Sequence, residues 1–373
     1  MKSWKTVFSI VPDCHARTGH YQALWQEHFY DGLRGVVTRL ITPRQIDFNW
    51  ARSAQKSAGT AWAEQQSKTS DLLWSQIKRA YREHGLDAVI TYCFAGDVGI
   101  DLVKQTIQLG VPWVNFYCDS THRFPEVEDL ARAVSLNWFP EHGAIHRYRP
   151  LGVPYLCQPY ALNPECLKES TCFSARFSVG FVGLPTTNRI TQLGLMCLLR
   201  CRVNIRGHGW VGPEENPFRN LERKGSDWLK VLVQPGLSEK ILRRILWPLV
   251  RRQAGGPLSE AEFHDYLRDC QVLLGLNQGR DEHGRLASYL KFRDIEFPGY
   301  GCCYLTAHND DVASAFEVGK EVLTYRSIWE AADIIREISR QPDHAQQIGK
   351  AGRTRVFSDH VWRARLKQLT EAL

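Results

Sequence analysis

The sequence predicts an α/β protein built from two doubly wound domains, and three observations lead to this prediction. The chain has 373 residues, which is more than a single hydrophobic core usually serves, so two domains are expected. Short β-branched or aromatic runs alternate with longer amphipathic runs over residues 1–165. The same alternation starts afresh near Phe177 and continues to the end. We therefore expect one domain over residues 1–165 and a second over 177–373.

The first domain is predicted to contain six strands and three longer helices. The strands are expected in the runs KTVFSIV, GVVTRLI, LDAVITYC, VPWVNFYC, VSLNWF and VPYLCQPY, and the helices at about 21–33, 61–83 and 98–109. Strands and helices that alternate in this way form a parallel sheet covered by helices on both faces.

The second domain is predicted to repeat this plan. Its strands are expected in SVGFVGL, RVNIRG, QVLLGLN, CCYLTA and EVLTY. Helices are expected from about Arg189, directly before CCYLTA, and from about Ser327 onward. The final segment, DHVWRARLKQLTEAL, is predicted to be an amphipathic helix that returns towards the first domain.

Composition favours an ordinary globular protein. The hydrophobic share is 43% and the charged share 23%. No apolar run reaches the length of a membrane span, and the first residues do not resemble a secretory signal, so we expect a cytoplasmic protein, with peripheral contact at the inner membrane surface as an option. The eleven cysteines fit neither a disulfide framework nor a metal spacing; Cys197 and Cys201 have no nearby histidine, so no metal site is predicted.

One segment, residues 237–256 with the sequence LSEKILRRILWPLVRRQAGG, is unlike the rest. It reads as an amphipathic helix that Pro248 would kink. The basic residues are Lys240, Arg243, Arg244, Arg251 and Arg252, and the apolar ones are Leu242, Ile245, Leu246, Trp247 and Leu249. The whole chain has a net charge of +7, and together with this charge the segment suggests contact with an anionic acceptor or membrane surface. Nucleic acid is the competing partner, and a plain interdomain helix is the third interpretation.

The run GHGWVG, residues 207–212, matches the dinucleotide-binding pattern G-x-G-x-x-G in sequence but not in its structural context. The fingerprint requires its glycines to open a helix, whereas PEENPF, with two prolines, follows here, so hydride transfer is not favoured. A loop after a strand is still a normal place for a ligand in an open α/β sheet. The candidate donor-binding residues here are Gly207, His208, Gly209 and Trp210, and the alternative is a plain turn.

A second candidate site lies in LKFRDIEFPGYGCCYLTA, residues 290–307, where a charged run meets a Pro-Gly-x-Gly turn and an apolar strand. A helix would place Arg293 and Glu296 on one face. Arginine can clamp a phosphate, a carboxylate can accept both hydroxyls of a ribose, and glycines let the backbone approach a ligand. The candidate residues are Lys291, Arg293, Glu296, Pro298, Gly299, Tyr300 and Gly301. The alternative is a solvated helix end with an exposed ion pair.

From about Gly275 to the end, the chain resembles the carboxy-terminal domain of the CgeB-like glycosyltransferases. The resemblance rests on LNQGRDEHGRLASYLKFRDIEFPGYGCCYLTAHNDDVASAFEVGKEVLTY and QIGKAGRTRVFSDHVWRARL, which carry the arginine, the Phe-Glu pair (Ile295-Glu296 here), the glycine turn, the apolar strand and the R..V...H....R tail in order. It is moderate over FVGLPTTNR and RGHGW, and only architectural in the first domain. It implies the GT-B architecture of two Rossmann-like domains facing across a cleft.

By this resemblance, site residues can be assigned position by position. Glu296 matches the glutamate that holds the nucleotide ribose, and Arg293 matches the arginine before it. Asn277 lies where a strand end faces the donor, and Arg189 lies near the cation that neutralises the donor diphosphate. Two departures affect the sugar and diphosphate contacts. Ser288 stands where many family-4-type enzymes have an earlier glutamate, and Gly183-Leu184 replaces the usual Gly-Arg.

The acceptor side is expected in the first domain. Asp119 and His122 lie in NFYCDSTHRFPE after the fourth predicted strand and are the candidate catalytic residues. His15, Gly19 and His20 follow the first strand, in PDCHARTGHYQ. Histidine titrates near neutrality and suits proton transfer, although a loop histidine can equally be an ordinary surface residue.

The resemblance, together with these residues, implies a GT-B glycosyltransferase that moves a sugar from a nucleotide-diphosphate donor to an acceptor. The acceptor class stays open between glycan, lipid, protein and nucleic acid. The resemblance implies retention and no metal or cofactor beyond the donor substrate. The alternative is a non-catalytic module of the same fold that binds a nucleotide or an anionic polymer, which Ser288 and Leu184 leave open.

Overall fold

The computed structural model describes residues 4–15, 24–48, 60–167, 176–211, 237–280 and 286–373. The chain divides into two compact units. Unit 1 comprises residues 1–168, 280–285 and 355–373, and unit 2 comprises 169–279 and 286–354.

Unit 1 contains a parallel sheet whose six strands are those expected from the sequence. The strands are β1 (Thr6–Ile10), β2 (Arg39–Ile41), β3 (Ala88–Thr91), β4 (Trp113–Phe116), β5 (Leu136–Phe139) and β6 (Tyr155–Cys157). Their order is β2-β1-β3-β4-β5-β6, and every pair is parallel. Strands β1, β3, β4 and β5 are buried at every position, as expected of parallel strands covered on both faces.

Helices connect these strands. They are α1 (Pro12–His15), α2 (Gly32–Arg34), α3 (Thr60–His84), α4 (Ile100–Gln108), α5 (Ser120–Arg123), α6 (Glu128–Ala133) and α7 (Ile145–Tyr148). The helices predicted over 61–83 and 98–109 correspond to α3 and α4. The one predicted over 21–33 is, within the described residues, mainly a π-helical stretch, Gln26–Asp31, that leads into α2.

Unit 2 contains a second parallel sheet of five strands. Its strands and those of a separate two-stranded sheet are β7 (Phe177–Val182), β8 (Asn204–Arg206), β9 (Cys270–Gly275), β10 (Gln278–Arg280), β11 (Leu286–Ser288), β12 (Cys303–Ala307) and β13 (Leu323–Tyr325). The larger sheet has the order β13-β12-β9-β7-β8, and β10 pairs with β11.

The helices of this part of the chain are α8 (Thr187–Leu198), α9 (Leu237–Arg251), α10 (Glu260–Asp269), α11 (Phe292–Gly299), α12 (Asp310–Ala315), α13 (Ile328–Ile338) and α14 (Pro342–Asp359). The sequence patterns did not predict α10. It begins with a capping box, in which Ser259 and Glu262 satisfy each other's backbone N–H groups. That Ser-x-x-Glu spacing is the signal that would have found it.

The last helix, α15 (Trp362–Glu371), belongs to unit 1. Trp362 is fully buried, and its indole Nε1 donates a hydrogen bond of 2.6 Å to the carbonyl oxygen of His28. Its ring packs edge-on against Phe29 and Trp138, with centroids 4.9 and 5.7 Å away. The end of the chain therefore completes the core of the first sheet.

Helix α9 buries only part of its apolar side. Leu246 and Val250 are buried, whereas Ile245 is 63% exposed and Leu242 is 36% exposed. Pro248 lies inside the helix. Within the described ranges, no helix is both long enough and apolar enough to cross a membrane.

Candidate functional site

The sheet of unit 2 has a switch point between β7 and β9. The chain runs from β7 to its neighbour β8 on one side and later returns to β9 on the other side. In open α/β sheets, ligands bind outside the carboxyl ends of the strands at such a point. Gly183 directly follows β7, and Asn277 lies two residues beyond β9. Both predicted donor-site residues are therefore at this edge.

Two arginines are fixed at the switch point by backbone carbonyls. Arg293 Nη1 donates to the carbonyl oxygen of Val182, the last residue of β7, at 2.5 Å. Arg189 Nε donates to the carbonyl oxygen of Leu276 at 3.2 Å, and its Nη1 donates to that of Leu184 at 3.1 Å. The two side chains come from α8 and α11 and converge on the ends of β7 and β9.

Gly183 lies between the two guanidinium groups. A Cβ atom built on this glycine would be 3.1 Å from Arg293 Nη1 and 3.2 Å from Arg189 Nη1. Two positive groups so close together repel each other, and an anion that bridges them would relieve the repulsion. Guanidinium groups bind phosphate oxygens in planar, bidentate geometry. The arrangement is therefore suited to a diphosphate.

Helix α8 adds a further positive contribution at this edge. It follows β7 after a short loop, and its first turn is capped by Thr186, whose side chain accepts a hydrogen bond from the backbone N–H of Arg189. The N terminus of a helix carries a partial positive charge and N–H groups that bind anions. Arg189 is thus placed on the first turn of a helix that itself favours an anion.

Asp294 is the residue that fixes α11, and sequence reasoning named it only as part of the charged run. Its carboxylate is 1% exposed and accepts hydrogen bonds from the Lys291 backbone N–H (2.6 Å), Asn277 Nδ2 (2.5 Å), Tyr304 Oη (2.8 Å) and Thr306 Oγ1 (3.1 Å). Burial raises the pKa of this carboxyl. The contacts attach the start of α11 to β9 and β12. An acid three residues after a helix cap is the signal for this role.

Because α11 is attached in this way, Arg293 and Glu296 share its partly exposed side. Both are half-buried, while Ile295 and Phe297 between and after them are buried. Glu296 lies one turn beyond Arg293, which is the spacing the sequence predicted. Lys291 begins the helix and places its ammonium group 3.8 Å from the centre of the Tyr289 ring.

The Pro-Gly-x-Gly segment differs from the prediction. Pro298 and Gly299 form the last turn of α11 rather than a loop. Gly301 has a φ of +83°, and its carbonyl oxygen occupies the space where Gly349 of α14 would carry a side chain. The close approach that these glycines allow is therefore between α14 and the chain after α11.

Tyr300 is buried as well, with its ring edge-on to Phe263 at 6.0 Å. The structure thus shows packing contacts for this segment, and donor binding by Pro298, Gly299, Tyr300 and Gly301 stays a prediction.

The GHGW loop packs against Gly183, the residue between the two arginines. Gly207 has a φ of +140°, and a side chain there would overlap the carbonyl oxygen of Gly183. Trp210 is buried, and its Nε1 donates to that same oxygen at 2.5 Å. The Trp210 ring stacks on Trp247 of α9, with centroids 5.8 Å apart. His208 is exposed. Trp210 thus lies in the core and holds Gly183 in place, and a contact of this loop with the donor stays a prediction.

The two departures from the family pattern also have defined positions. Leu184 has a side chain that is 49% exposed, and its carbonyl oxygen holds Arg189. Ser288, at the end of β11, is half-buried, and its Oγ lies 3.5 Å from Asn309 Nδ2.

A second set of polar residues lies at the carboxyl edge of the unit 1 sheet. Tyr92, Asp119, Glu141 and Tyr160 follow β3, β4, β5 and β6, respectively. Asp119 takes the left-handed conformation, with a φ of 60°, which is uncommon outside glycine and frequent at functional sites. Glu141 is fully buried. Burial, with smaller effects from Cys118, Asp119 and Glu141, raises the pKa of Tyr160 well above its usual value.

Sequence reasoning found Asp119 in this set and missed Glu141 and Tyr160. Glu141 carried the same signal as Asp119, since each comes shortly after a predicted strand, whereas Tyr160 is the last residue of the predicted strand VPYLCQPY. His122 lies in α5 and His15 ends α1, but their side chains are outside the described atoms, and Gly19 and His20 are outside the described residues. No group of three or more histidine, cysteine or acidic residues within the described ranges could hold a metal ion.

Comparison with known proteins agrees with this architecture. Residues 201–371 match the family model described as "Glycosyl transferase-like". No curated protein matches the chain by sequence.

Several solved structures match over nearly the whole chain. Sucrose-phosphate synthase from Thermosynechococcus elongatus superposes with a TM-score of 0.58 at 11% identity, covering 99% of this chain and 98% of that one. A glycosyltransferase from Rickettsia africae gives 0.57 at 10% identity, with 100% and 98% covered. Anabaena HepE in complex with UDP-glucose gives 0.53 at 11% identity, with 99% and 98% covered. The chain therefore has the GT-B fold of these glycosyltransferases, and its residues 201–371 match the glycosyl transferase-like family.

Proposed function

We propose that this chain is a glycosyltransferase that uses a nucleoside-diphosphate sugar bound at the carboxyl edge of the unit 2 sheet. The observation that carries the proposal is the convergence of the Arg189 and Arg293 side chains on Gly183, at the switch point and beside the N terminus of α8. The solved HepE complexes with UDP and with UDP-glucose support a donor of this class, because they share the fold.

The chemistry follows from the charges at this edge. When the bond between the sugar and the diphosphate breaks, its electron pair stays on the phosphate oxygen, and negative charge builds up there. Fixed guanidinium groups and backbone N–H donors would stabilise that charge in the transition state. A guanidinium group has five N–H donors, so one that is anchored by a carbonyl can also bind a phosphate. Glu296 would accept the ribose hydroxyls.

The acceptor side is proposed for unit 1. Asp119 and His122, after β4, are the candidates to meet the sugar or the acceptor hydroxyl. We add Glu141 to them as a candidate, because its buried carboxylate follows β5 at the same edge of the sheet. We also propose that the transfer retains the configuration at the anomeric carbon of the sugar and needs no metal ion. Both proposals rest on the resemblance to the CgeB-like enzymes. The class of hexose and the acceptor are left to experiment.

Donor turnover tests this proposal. The protein is incubated with uridine, guanosine and thymidine diphosphate sugars, and the release of free nucleoside diphosphate is followed by chromatography. We expect slow release from one donor class. Arg293→Gln should lower that rate by about a hundredfold, the usual loss when one donor to a developing charge is removed. Arg340→Gln, at an exposed position of the same unit, should leave it unchanged.

The same experiment distinguishes the alternative of a binding module. Ser288, in place of the earlier glutamate, favours that alternative, because it removes a carboxylate expected at the sugar. Calorimetric binding of a nucleoside diphosphate without release from any donor would support the module. The absence of both binding and release would contradict the transferase and the nucleotide-binding module, and would leave the module that binds an anionic polymer.

A further inference from the structure

Helix α9 has one side in the core of unit 2 and one side exposed. Leu246 and Val250 are buried, and Leu246 packs so closely on α8 that a Cβ on Gly194 would be 2.5 Å from its own Cβ. Trp247 is half-buried on Trp210. The amphipathic pattern of the segment is therefore only partly used for internal packing, and the remaining side needs a separate explanation.

The exposed side combines an aliphatic side chain with arginines. Ile245 is 63% exposed and Leu242 is 36% exposed, and Arg243, Arg244, Arg251 and Arg252 are exposed on the same helix or directly after it. Residues 242–252 contain these four arginines and no acidic residue. The exposed part of α9 therefore combines apolar and basic side chains.

This basic surface continues onto the turn between α8 and β8. The side chain of Gln253 donates to Cys197 Sγ at 3.0 Å and accepts from the Val203 backbone N–H at 2.7 Å, so the end of α9 lies against this turn. Along the sequence between Cys197 and Val203 lie Leu198, which is 61% exposed, and the exposed Arg200 and Arg202. The turn thus repeats the composition of the exposed side of α9.

Among the described residues, the carboxylates near this surface belong to α13. Arg336 of α13 donates from Nη2 to the carbonyl oxygen of Leu199 at 3.1 Å and forms an ion pair with Asp333. Asp333 is therefore balanced by a cation of its own helix. Glu337 is exposed on the same helix. Beside these two carboxylates, the described part of the surface carries the exposed Arg200, Arg202, Arg243 and Arg252, which keeps it basic.

We propose that this surface, formed by Leu198, Arg200, Arg202, Ile245, Arg251 and Arg252, docks on a membrane that contains anionic lipids. Arginine guanidinium groups bind lipid phosphates, and exposed aliphatic side chains gain by entering the boundary between headgroups and acyl chains. Nucleic acid would satisfy the arginines but not Leu198 and Ile245, since its bases are recognised by aromatic stacking and polar contacts. The proposal goes beyond the proposed function and does not depend on it.

Sedimentation with vesicles tests the docking surface. The full chain is mixed with phosphatidylcholine vesicles, with and without phosphatidylglycerol, at low and moderate salt. We expect binding only to the anionic vesicles, and weaker binding at the higher salt. The double variant Arg251→Glu and Arg252→Glu should weaken binding by tenfold or more, because each basic residue near an anionic surface contributes about fivefold.

Matched controls separate the surface from net charge and from folding. The double variant Arg326→Glu and Arg340→Glu makes the same change of charge at exposed positions elsewhere in unit 2 and should bind like the wild type. Ile245→Ser should weaken vesicle binding without changing charge, whereas Leu72→Ser, at a 51% exposed position of unit 1, should not. Melting curves of all variants should superpose.

Three results would overturn the proposal. They are equal binding to neutral and anionic vesicles, equal losses in the test and control variants, and the absence of vesicle binding by the wild type. A gel shift with double-stranded DNA that is lost in the Arg251 and Arg252 variant, without vesicle binding, would replace the membrane by nucleic acid.

Discussion

Glu296 carries the predicted recognition of the nucleotide ribose. Its half-buried position one turn beyond Arg293 suits a carboxylate that accepts hydrogen bonds from a ligand. Glu296→Gln keeps the size but loses the charge, and should weaken nucleotide binding by about ten- to a hundredfold, or roughly 1.5 to 3 kcal/mol. Calorimetric titration with a nucleoside diphosphate measures this change, and the melting temperature should stay close to that of the wild type.

The matched control for this substitution is Glu337→Gln, at an exposed position of α13. It should alter neither affinity nor melting temperature. A Glu296→Gln protein that melts early but binds nucleotide as the wild type does would instead assign Glu296 a structural role and remove it from the donor site.

His28 gives unit 1 a defined response to pH. Its ring is 3% exposed and accepts a hydrogen bond from the Asn163 backbone N–H at Nδ1, and burial lowers its pKa from 6.5 to about 4. Between these two values the unfolded chain binds a proton that the folded chain does not bind. The free energy of unfolding should therefore fall as the pH falls from 6.5 to 4, by about 3 kcal/mol in total from this group.

Urea unfolding at a series of pH values measures this dependence. His28→Gln should flatten the curve between pH 6.5 and 4, and His344→Gln, at an exposed position, should leave it as in the wild type. If His28→Gln loses stability with falling pH as steeply as the wild type does, the effect belongs to other groups.

At the residue level, Asp119 was named because it follows a predicted strand, and Arg189 and Arg293 were assigned by the family resemblance; all three lie at the carboxyl edges of the two sheets, and their roles stay predictions. Asp294 was not assigned a role because a charged residue within a charged run is expected to be exposed, whereas its carboxylate is buried. Trp210 was named because its loop follows a strand, and its ring is buried in the core.

At the scale of elements, α11 depends on the Asp294 carboxylate for its position. Asp294→Ala would leave the N–H or O–H donors of Lys291, Asn277, Tyr304 and Thr306 without their acceptor. Each buried donor that loses its partner costs about 1 to 3 kcal/mol, so we expect a loss of at least 3 kcal/mol in the free energy of unfolding. Asp265→Ala, at an exposed ion pair of α10, should cost less than about 1 kcal/mol.

Urea unfolding of the two variants tests this prediction. Comparable stability of Asp294→Ala and wild type would show that the network contributes little. An Asp294→Ala protein that is too unstable to purify can be replaced by Asp294→Asn, which keeps the shape but turns one acceptor into a donor and should be intermediate in stability.

The strands of the two larger sheets were predictable because each lies in a compact apolar, mostly β-branched or aromatic run, whereas helix ends and faces were not. Strands β10 and β11, with the sequences QGR and LAS, have no such run and were not predicted. Pro298 reads as a turn residue, yet α11 continues through it to Gly299. Helix α10 was overlooked because its phenylalanine, tyrosine and leucine are spread among seven polar or small residues. The burial of Leu246 but not Ile245 depends on where α8 packs, and no pattern within α9 alone contains that information.

At the scale of the whole molecule, the last helix of the chain packs into the core of unit 1. Trp362 is buried among Phe29, Trp138 and the backbone of His28 in unit 1. Trp362→Ala should lower the free energy of unfolding by about 3 to 5 kcal/mol, the usual cost of removing a large buried aromatic side chain. Trp329→Ala, at a 61% exposed position of α13, should cost less than about 1 kcal/mol.

Denaturant unfolding followed by circular dichroism measures both changes. Equal stabilities of the two tryptophan variants would mean that the last helix does not contribute to the core of unit 1. If Trp362→Ala greatly lowers the free energy of unfolding, residues 1–165 alone should fold poorly. They contain the complete first sheet but lack Trp362.

The stack of Trp247 on Trp210, with the Trp210 N–H on the Gly183 carbonyl oxygen, joins the basic helix to the residue between the two donor-site arginines. If contact with lipid shifts α9, this connection makes the two binding equilibria linked. Linkage is reciprocal: any factor by which anionic vesicles raise nucleotide affinity must equal the factor by which nucleotide raises vesicle affinity. Titrating each ligand with and without the other measures both factors, and Trp247→Ala should bring both towards one. With a factor above one, the donor-bound protein would bind the membrane more tightly than the empty protein.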